Sequence, residues 1–271
     1  MKKTVLITGS SSGIGREAVK TFQKNGWNVA ATMRSPSKET ELQNLPNVKL
    51  FTLDVTDIQS IHTTVADVIA AFGQLDAVVN NAGYGLVGPF EAATPEQIKR
   101  QFETNVFGLM NVTQAVIPVF RSQKSGTIIQ VASVGGRITF PLYSLYHSTK
   151  WAVEGFSESL QYELEAFNIR MKIIEPGPIK TDFYDRSMDI MKRDGLTVYD
   201  AYVSRVMPNM MKAGATGSPA SYTAGVIYEA ASDGSKKIRY AAGGNAGGIL
   251  FLRKLLPFRW FVNIVKMAVG H

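Results

Sequence analysis

The chain has 271 residues, 45% of them apolar and 19% charged, with no cysteine and three histidines. That is enough chain for one sizeable core without a linker, it leaves no disulfide framework or thiolate metal site, and so few histidines argue against metal catalysis. Net charge is +7, yet acids and bases balance up to Asp233; beyond it lie seven basic residues (Lys236, Lys237, Arg239, Arg253, Lys254, Arg259, Lys266) and no acid. The basic start MKKTVLITGSSSG carries too short an apolar run for a signal peptide, so a cytoplasmic protein is expected.

Strand-length apolar runs alternate with segments of helical period. In chain order they read KTVLIT, then IGREAVKTFQ; WNVAATM; VKLFTLDV, then IQSIHTTVADVIAAF; LDAVVN; a long helical region around 94–121; GTIIQVAS; a helix carrying YHSTK; and IRMKIIEPG. Strands that are apolar throughout are buried on both faces, which predicts a parallel sheet of about seven strands covered by helices on each side. The fold class is therefore α/β, a single doubly wound Rossmann-type domain over 1–247, followed by a basic, apolar tail over 248–271. In such sheets ligands bind at the carboxyl ends of the strands.

The first strand ends in TGSSSGIGREAV, which places Gly9, Gly13 and Gly15 between strand and helix. Glycines there let backbone approach a pyrophosphate, and the helix N-terminus offers N–H groups and partial positive charge. The spacing is neither G-x-G-x-x-G nor the phosphate loop G-x-x-x-x-G-K-[ST], where Ile14 occupies the second glycine position. GSSSG also matches the hydrolase elbow G-x-S-x-G, with Ser11 as nucleophile. Only ten residues precede Ser11, and the late histidine is the terminal His271, so that reading is set aside.

YHSTK places Tyr146 four residues before Lys150, on one face of a helix. An ammonium about 5 Å from a phenol favours the phenolate by about 3 kcal/mol at an effective dielectric near 20, enough to bring a pKa of roughly 10 towards neutrality. The pair is a candidate acid/base. His147, about 100° round the helix from Tyr146, is given no role, whereas Tyr143, one turn earlier, is expected to line a cleft.

TGSSSGIG, NNAG at 80–83, Ser133, YHSTK and PGPIKTD at 176–182 occur together and in order. Over roughly residues 3–241 the chain resembles the short-chain dehydrogenase/reductase family, and within it an NADP-preferring, steroid/retinol dehydrogenase-like branch. The resemblance implies that Tyr146 is the general acid/base and also contacts the cofactor, that Lys150 lowers its pKa and holds the nicotinamide ribose, and that Ser133 hydrogen-bonds the reacting carbonyl. It implies that Asn105 anchors a water in the proton relay to Lys150. For the cofactor it implies a cradle of Gly9, Gly13, Ile14 and Gly15, adenine contacts from Asp54 and Val55, passage of the dinucleotide beside Asn81, Ala82 and Gly83, and a nicotinamide seat made by Pro176, Gly177, Ile179 and Thr181. It also implies a homo-oligomer and a substrate lid over about 182–217, a stretch that contains Met188, Met191, Met207, Met210 and Met211; these thioethers line an adaptable pocket or simply pack helices.

At the end of the second strand an NAD site needs a carboxylate for the ribose 2′-OH, but no acid lies between Glu17 and Glu39. Arg34 stands there, and a guanidinium pairs bidentately with a 2′-phosphate, so NADP(H) is the expected cofactor, with Lys38 as a helper. The expected activity is hydride transfer between nicotinamide and an apolar carbonyl or secondary alcohol, steroid-like, retinoid-like or fatty; the alternative is a non-catalytic NADP-binding redox sensor. Nucleic acid is not an expected partner. The tail, interrupted by Pro257, is too charged to span a bilayer; it either packs over the cleft or a neighbouring subunit, which the sequence favours, or lies on a membrane surface.

Overall fold

The computed structural model describes residues 2–181 and 187–270. Strands run in chain order β1 (Thr4–Ile7), β2 (Asn28–Met33), β3 (Val48–Thr52), β4 (Ala77–Asn80), β5 (Gly85–Val87), β6 (Gly126–Val131), β7 (Ile169–Pro176), β8 (Ile179–Lys180), β9 (Met188–Ile190), β10 (Ser218–Pro219) and β11 (Arg239–Ala242). Helices are α1 (Gly13–Lys24), α2 (Ile58–Phe72), α3 (Pro95–Phe102), α4 (Gly108–Gln123), α5 (Ser144–Glu165), α6 (Asp200–Ala215), α7 (Ala220–Ser232), α8 (Ala246–Leu255) and α9 (Phe258–Val269). Seven strands form one parallel sheet in the order β11-β7-β6-β4-β1-β2-β3, and two small parallel ribbons pair β5 with β9 and β8 with β10. The chain winds outward from β1 through β2 to β3, then returns to β4 on the other side of β1. That reversal opens a crevice at the carboxyl ends of β1 and β4.

The buried strands explain the sheet. β1, β4 and β6 are buried at every position, and alternation of side chains divides them between two cores. Val5 and Ile7 pack with Phe22 of α1 and Ile227 of α7; Leu6 packs on the opposite face with Ile61 of α2, Val116 of α4 and Leu164 of α5. Phe22 meets Trp27 and Tyr228 edge-on at 5.1 and 5.3 Å between ring centres, contacts that each contribute about 0.5–1.5 kcal/mol beyond area burial.

Local signals set the helix ends. The Asp57 carboxylate accepts from the N–H groups of Gln59 and Ser60, and Gly73, at φ +82°, closes α2. Thr94 and Gln97 form a reciprocal capping box ahead of Pro95, starting α3. The helical region expected over 94–121 is present over 95–123, with a π-helical turn at Glu103–Phe107 between α3 and α4. The extra residue in that turn rotates Asn105 inward, where it is buried.

Candidate active site

One cleft of about 990 Å³ runs along the carboxyl edge of the sheet. Each central strand delivers residues to its wall: Gly9 and the glycine loop after β1, Arg34 after β2, Asp54 and Val55 after β3, Asn81 to Gly83 after β4, Ser133 after β6, and Pro176 and Gly177 at the end of β7. Gly13, Ile14, Tyr146, Lys150, Ile179 and Thr181 complete the set. Of the site residues singled out in the sequence, Gly15, Asn105 and Lys38 do not form the wall; Gly15 and Asn105 act from behind it. Asp182 and the start of the expected lid, residues 182–186, lie outside the described residues.

The glycines are needed here for geometric reasons. Gly9 and Gly13 have φ of +67° and +53°, conformations that glycine adopts without steric cost. A Cβ on Gly15 would lie 2.3 Å from the Gly9 carbonyl oxygen and 2.5 Å from Asn81 Nδ2. Asn81 Nδ2 in turn donates to the carbonyls of Thr8 and Gly9 at 2.9 and 3.1 Å, while Thr8 Oγ1 accepts from the N–H groups of Asn81 and Ala82. Thr8 therefore stitches the loop after β1 to the loop after β4, a role the sequence did not suggest for it. The result is a rigid cradle open to a pyrophosphate at the start of α1.

At the β2 end Arg34 is exposed and on the cleft wall, whereas Lys38 is not among the wall residues. The nearest acid in sequence, Glu39, is buried and committed: it binds Arg16 at 2.6 Å and accepts from the N–H groups of Glu41 and Leu42 at 2.9 Å. Neither Glu17 nor Glu39 lines the cleft.

At the other end of the cleft lie Ser133, Tyr146 and Lys150. Ser133 Oγ accepts from the Gly135 N–H at 3.0 Å and sits 3.5 Å from the Pro176 carbonyl oxygen, so its own proton is only weakly engaged there. Lys150 is buried; Nζ donates to the Val131 carbonyl at 2.9 Å and lies 5.7 Å from the centre of the Tyr146 ring. Burial pushes the Lys150 ammonium down to about 8, opposed by the charge of Glu154. Asn105 accepts from the Tyr84 N–H at 3.0 Å and donates to the Tyr84 carbonyl at 2.8 Å and to Thr149 Oγ1 at 3.2 Å. It thus joins the segment after NNAG to the helix bearing Tyr146 and Lys150.

His147 has a positioning role that the sequence did not reveal. Its Nδ1 lies 2.9 Å from the Gly135 carbonyl oxygen, and Nε2 accepts from the Phe140 N–H at 2.9 Å, an arrangement that requires the neutral ring. Burial holds it neutral by pushing its pKa down to about 4. His147 thereby anchors the loop that follows Ser133 to α5, and a Cβ on Gly135 would lie 2.6 Å from its Nδ1.

A charge cluster centred on two buried carboxylates, Glu154 and Glu175, adjoins these elements. Glu154, one helical turn after Lys150, and Glu175, just before Pro176, share Arg239; Arg239 also binds Glu158 at 2.7 Å, and Arg137 binds Glu175 at 3.1 Å. Burial and the neighbouring Glu175 push the Glu154 carboxyl up to about 7 against the two guanidinium groups. The cluster ties α5, the end of β7 and the loop after Ser133 together.

The five methionines divide. Met188 and Met210 line the cleft, Met191 is buried with Leu86 and Leu145, Met207 packs beside Val206, and Met211 lies off the cleft, in a separate depression beside Lys180 and Lys212. Tyr143 lines the cleft and meets the Tyr146 ring edge-on at 6.1 Å. The tail forms α8 and α9, which put Ile249, Ala268 and Val269 on the cleft wall; Asn209 of α6 donates to the Val269 carbonyl at 3.0 Å. Among the described residues no helix is long and apolar enough to cross a membrane.

Comparison with known proteins places this geometry. Residues 3–190 match the family model described as short chain dehydrogenase. The oxidoreductase YusZ of Bacillus subtilis is 35% identical over 98% of both chains. A short-chain dehydrogenase from Streptomyces avermitilis superposes with a TM-score of 0.84 at 31% identity, covering all of this chain and 98% of that one. ElxO, solved with NADP bound, superposes at 0.76 with 26% identity over 92% of this chain and all of its own. With the ordered motifs, the parallel sheet and the family match in agreement, the chain belongs to the short-chain dehydrogenase family and is an oxidoreductase of that type.

Proposed function

We propose that the protein is an NADP(H)-dependent carbonyl reductase or alcohol dehydrogenase acting on apolar substrates, with Tyr146 as general acid/base. The observation that carries this reading is the fixed ammonium of Lys150 beside the Tyr146 ring, in the same cleft as Ser133. The glycine cradle, which side chains would fill at Gly9 and Gly15, suits a dinucleotide, whose nicotinamide would supply or accept the hydride when bound. Gly9, Gly13 and the start of α1 would hold the pyrophosphate, and Lys150, with donors to spare after Val131, the ribose hydroxyls.

In the reductive direction Ser133 Oγ–H and Tyr146 Oη–H hold the substrate carbonyl oxygen, and their hydrogen bonds strengthen as negative charge develops on it. Tyr146 then gives its proton to that oxygen, and the Lys150 ammonium stabilises the phenolate that remains. In oxidation the same phenolate takes the proton from the alcohol. Phe140, Tyr143, Met188, Met210 and Val269 make the substrate end largely apolar, which suits a fatty or polycyclic carbonyl compound.

The NADP in ElxO is a property of that protein; for this chain the preference rests on Arg34 and on the commitment of Glu39 to Arg16. The test is oxidation of NADPH and NADH against a panel of ketones and aldehydes of increasing apolar size. Turnover with NADPH and larger apolar carbonyls is expected; turnover with neither cofactor on any member of the panel would overturn the proposal.

A further inference from the structure

The two C-terminal helices have an outer face that the cleft does not account for. α9 turns Phe261, Val265 and Val269 inward, where they are buried. Its opposite side presents Trp260 and Met267, 64% and 74% exposed, together with Ile264. α8 repeats the pattern, with Phe251 and Leu255 62% and 61% exposed. At 100° per residue these side chains form one outward stripe on each helix, and exposed Lys254, Arg259 and Lys266 lie along its edge. Apolar groups of this size lined up on the exposed side of each helix mark an interaction surface rather than scattered surface residues.

The charge of the face selects its occupant. Residues 234–271 contain no acid, so a second copy docked by twofold symmetry would set the same lysines and arginines against one another without a counter-ion. An anionic lipid surface meets both requirements at once: the headgroup boundary accepts tryptophan, phenylalanine and leucine, and anionic headgroups pair with flanking basic side chains. We propose that α8 and α9 dock the protein on the surface of an anionic bilayer, with Phe251, Leu255, Trp260, Ile264 and Met267 in the headgroup boundary and Lys254, Arg259 and Lys266 against the lipid phosphates. The sequence alone favours packing over the cleft or a neighbouring subunit; the structure shows packing on one face of α9 and an apolar stripe exposed in the single chain on the other. Ile249, Ala268 and Val269 of the same helices line the cleft, so docking brings its substrate end beside the bilayer. The inference does not depend on the catalytic reading.

The test is flotation of the full chain, without cofactor, with vesicles of phosphatidylcholine alone or mixed with phosphatidylglycerol, at low and physiological salt. Binding is expected only to the anionic vesicles, weaker with salt, and accompanied by a blue shift of tryptophan emission that Trp260→Phe removes. The Trp260→Ser/Met267→Ser and Arg259→Glu/Lys266→Glu variants, which change only exposed side chains, are expected to lose on the order of tenfold in vesicle affinity with an unchanged melting temperature. Undiminished binding by both variants, or no binding by the wild type, overturns the proposal. A wild-type oligomer that fails to float and that Trp260→Ser/Met267→Ser converts to monomer also overturns it, and assigns the face to self-association.

Discussion

Replacing Arg34 by alanine removes the cationic group at the β2 end of the cleft without touching the glycine cradle or the Tyr146 end. Charge-assisted pairs contribute roughly 1.5–3 kcal/mol, and because Arg34 is exposed, solvent screening places it at the lower end, about 1.5 kcal/mol. The Michaelis constant for NADPH should therefore rise about tenfold, while that for NADH, which lacks the phosphate, changes little. Glu39 cannot take over ribose recognition in the variant, since it remains bound to Arg16 and two backbone N–H groups. Arg34→Asp should go further and favour NADH, by supplying the carboxylate that the 2′-OH needs. Initial rates with each cofactor at saturating carbonyl substrate measure both effects. A wild type that already prefers NADH, or an equal loss for the two cofactors in Arg34→Ala, would refute the assignment.

Gly15→Ala drives a methyl group into the Gly9 carbonyl and Asn81 Nδ2; overpacking of this kind costs about 1–3 kcal/mol, so thermal melts should show a less stable protein that NADPH no longer stabilises. Lys150, with its pKa lowered by burial to about 8, loses its charge in the free enzyme as pH rises through that value. The kcat/KM for NADPH should fall on the alkaline side with an apparent pKa about 8, and in Glu154→Gln, which removes the carboxylate that supports the ammonium, that limb should move to lower pH. Glu154 also makes stability depend on pH: its folded pKa is raised to about 7, so the folded state retains a proton that the unfolded chain releases, and stability falls as pH rises from about 4.5 to about 7. Melting temperatures across that window should decline in the wild type and flatten in Glu154→Gln.

Much of the fold was legible because its signals are local. Apolar runs such as TVLI and AVVN can be buried on both faces only in a covered sheet, and a Gly/Ser loop between strand and helix has few other uses. The Tyr146–Lys150 spacing was readable for the same reason, since a helix fixes which residues share a face. Features that depend on two distant segments were not readable. Nothing in ETNVFG distinguishes a π-turn from ordinary helix; the turn is stable because Asn105 finds Tyr84 and Thr149. His147 looks idle until the loop after Ser133 folds back and brings Gly135 and Phe140 to its two nitrogens. Glu154, Glu175 and Arg239 lie on three separate elements and are solvated-looking charges in the sequence. Thr8 is one more strand residue until β4 arrives beside it. In the tail, Pro257 announced a break, but which apolar residues turn inward was decided by docking: Phe261 and Val265 on Val134 and Ile138 after β6, and Val269 on Val206 of α6.

In the proposed mechanism the Tyr146 phenol carries the proton, while the glycine cradle and Arg34, which would hold most of the cofactor, lie elsewhere in the cleft. Tyr146→Phe keeps the ring that packs against Tyr143 and removes only the hydroxyl. The direct measurement pairs NADPH affinity, by fluorescence titration, with single-turnover oxidation of the bound NADPH by a carbonyl substrate that the wild type reduces. Near-normal affinity is expected, with a rate lower by at least roughly 100-fold, the scale of general acid catalysis. A Tyr146→Phe protein that binds NADPH and turns over at close to the wild-type rate would contradict that mechanism.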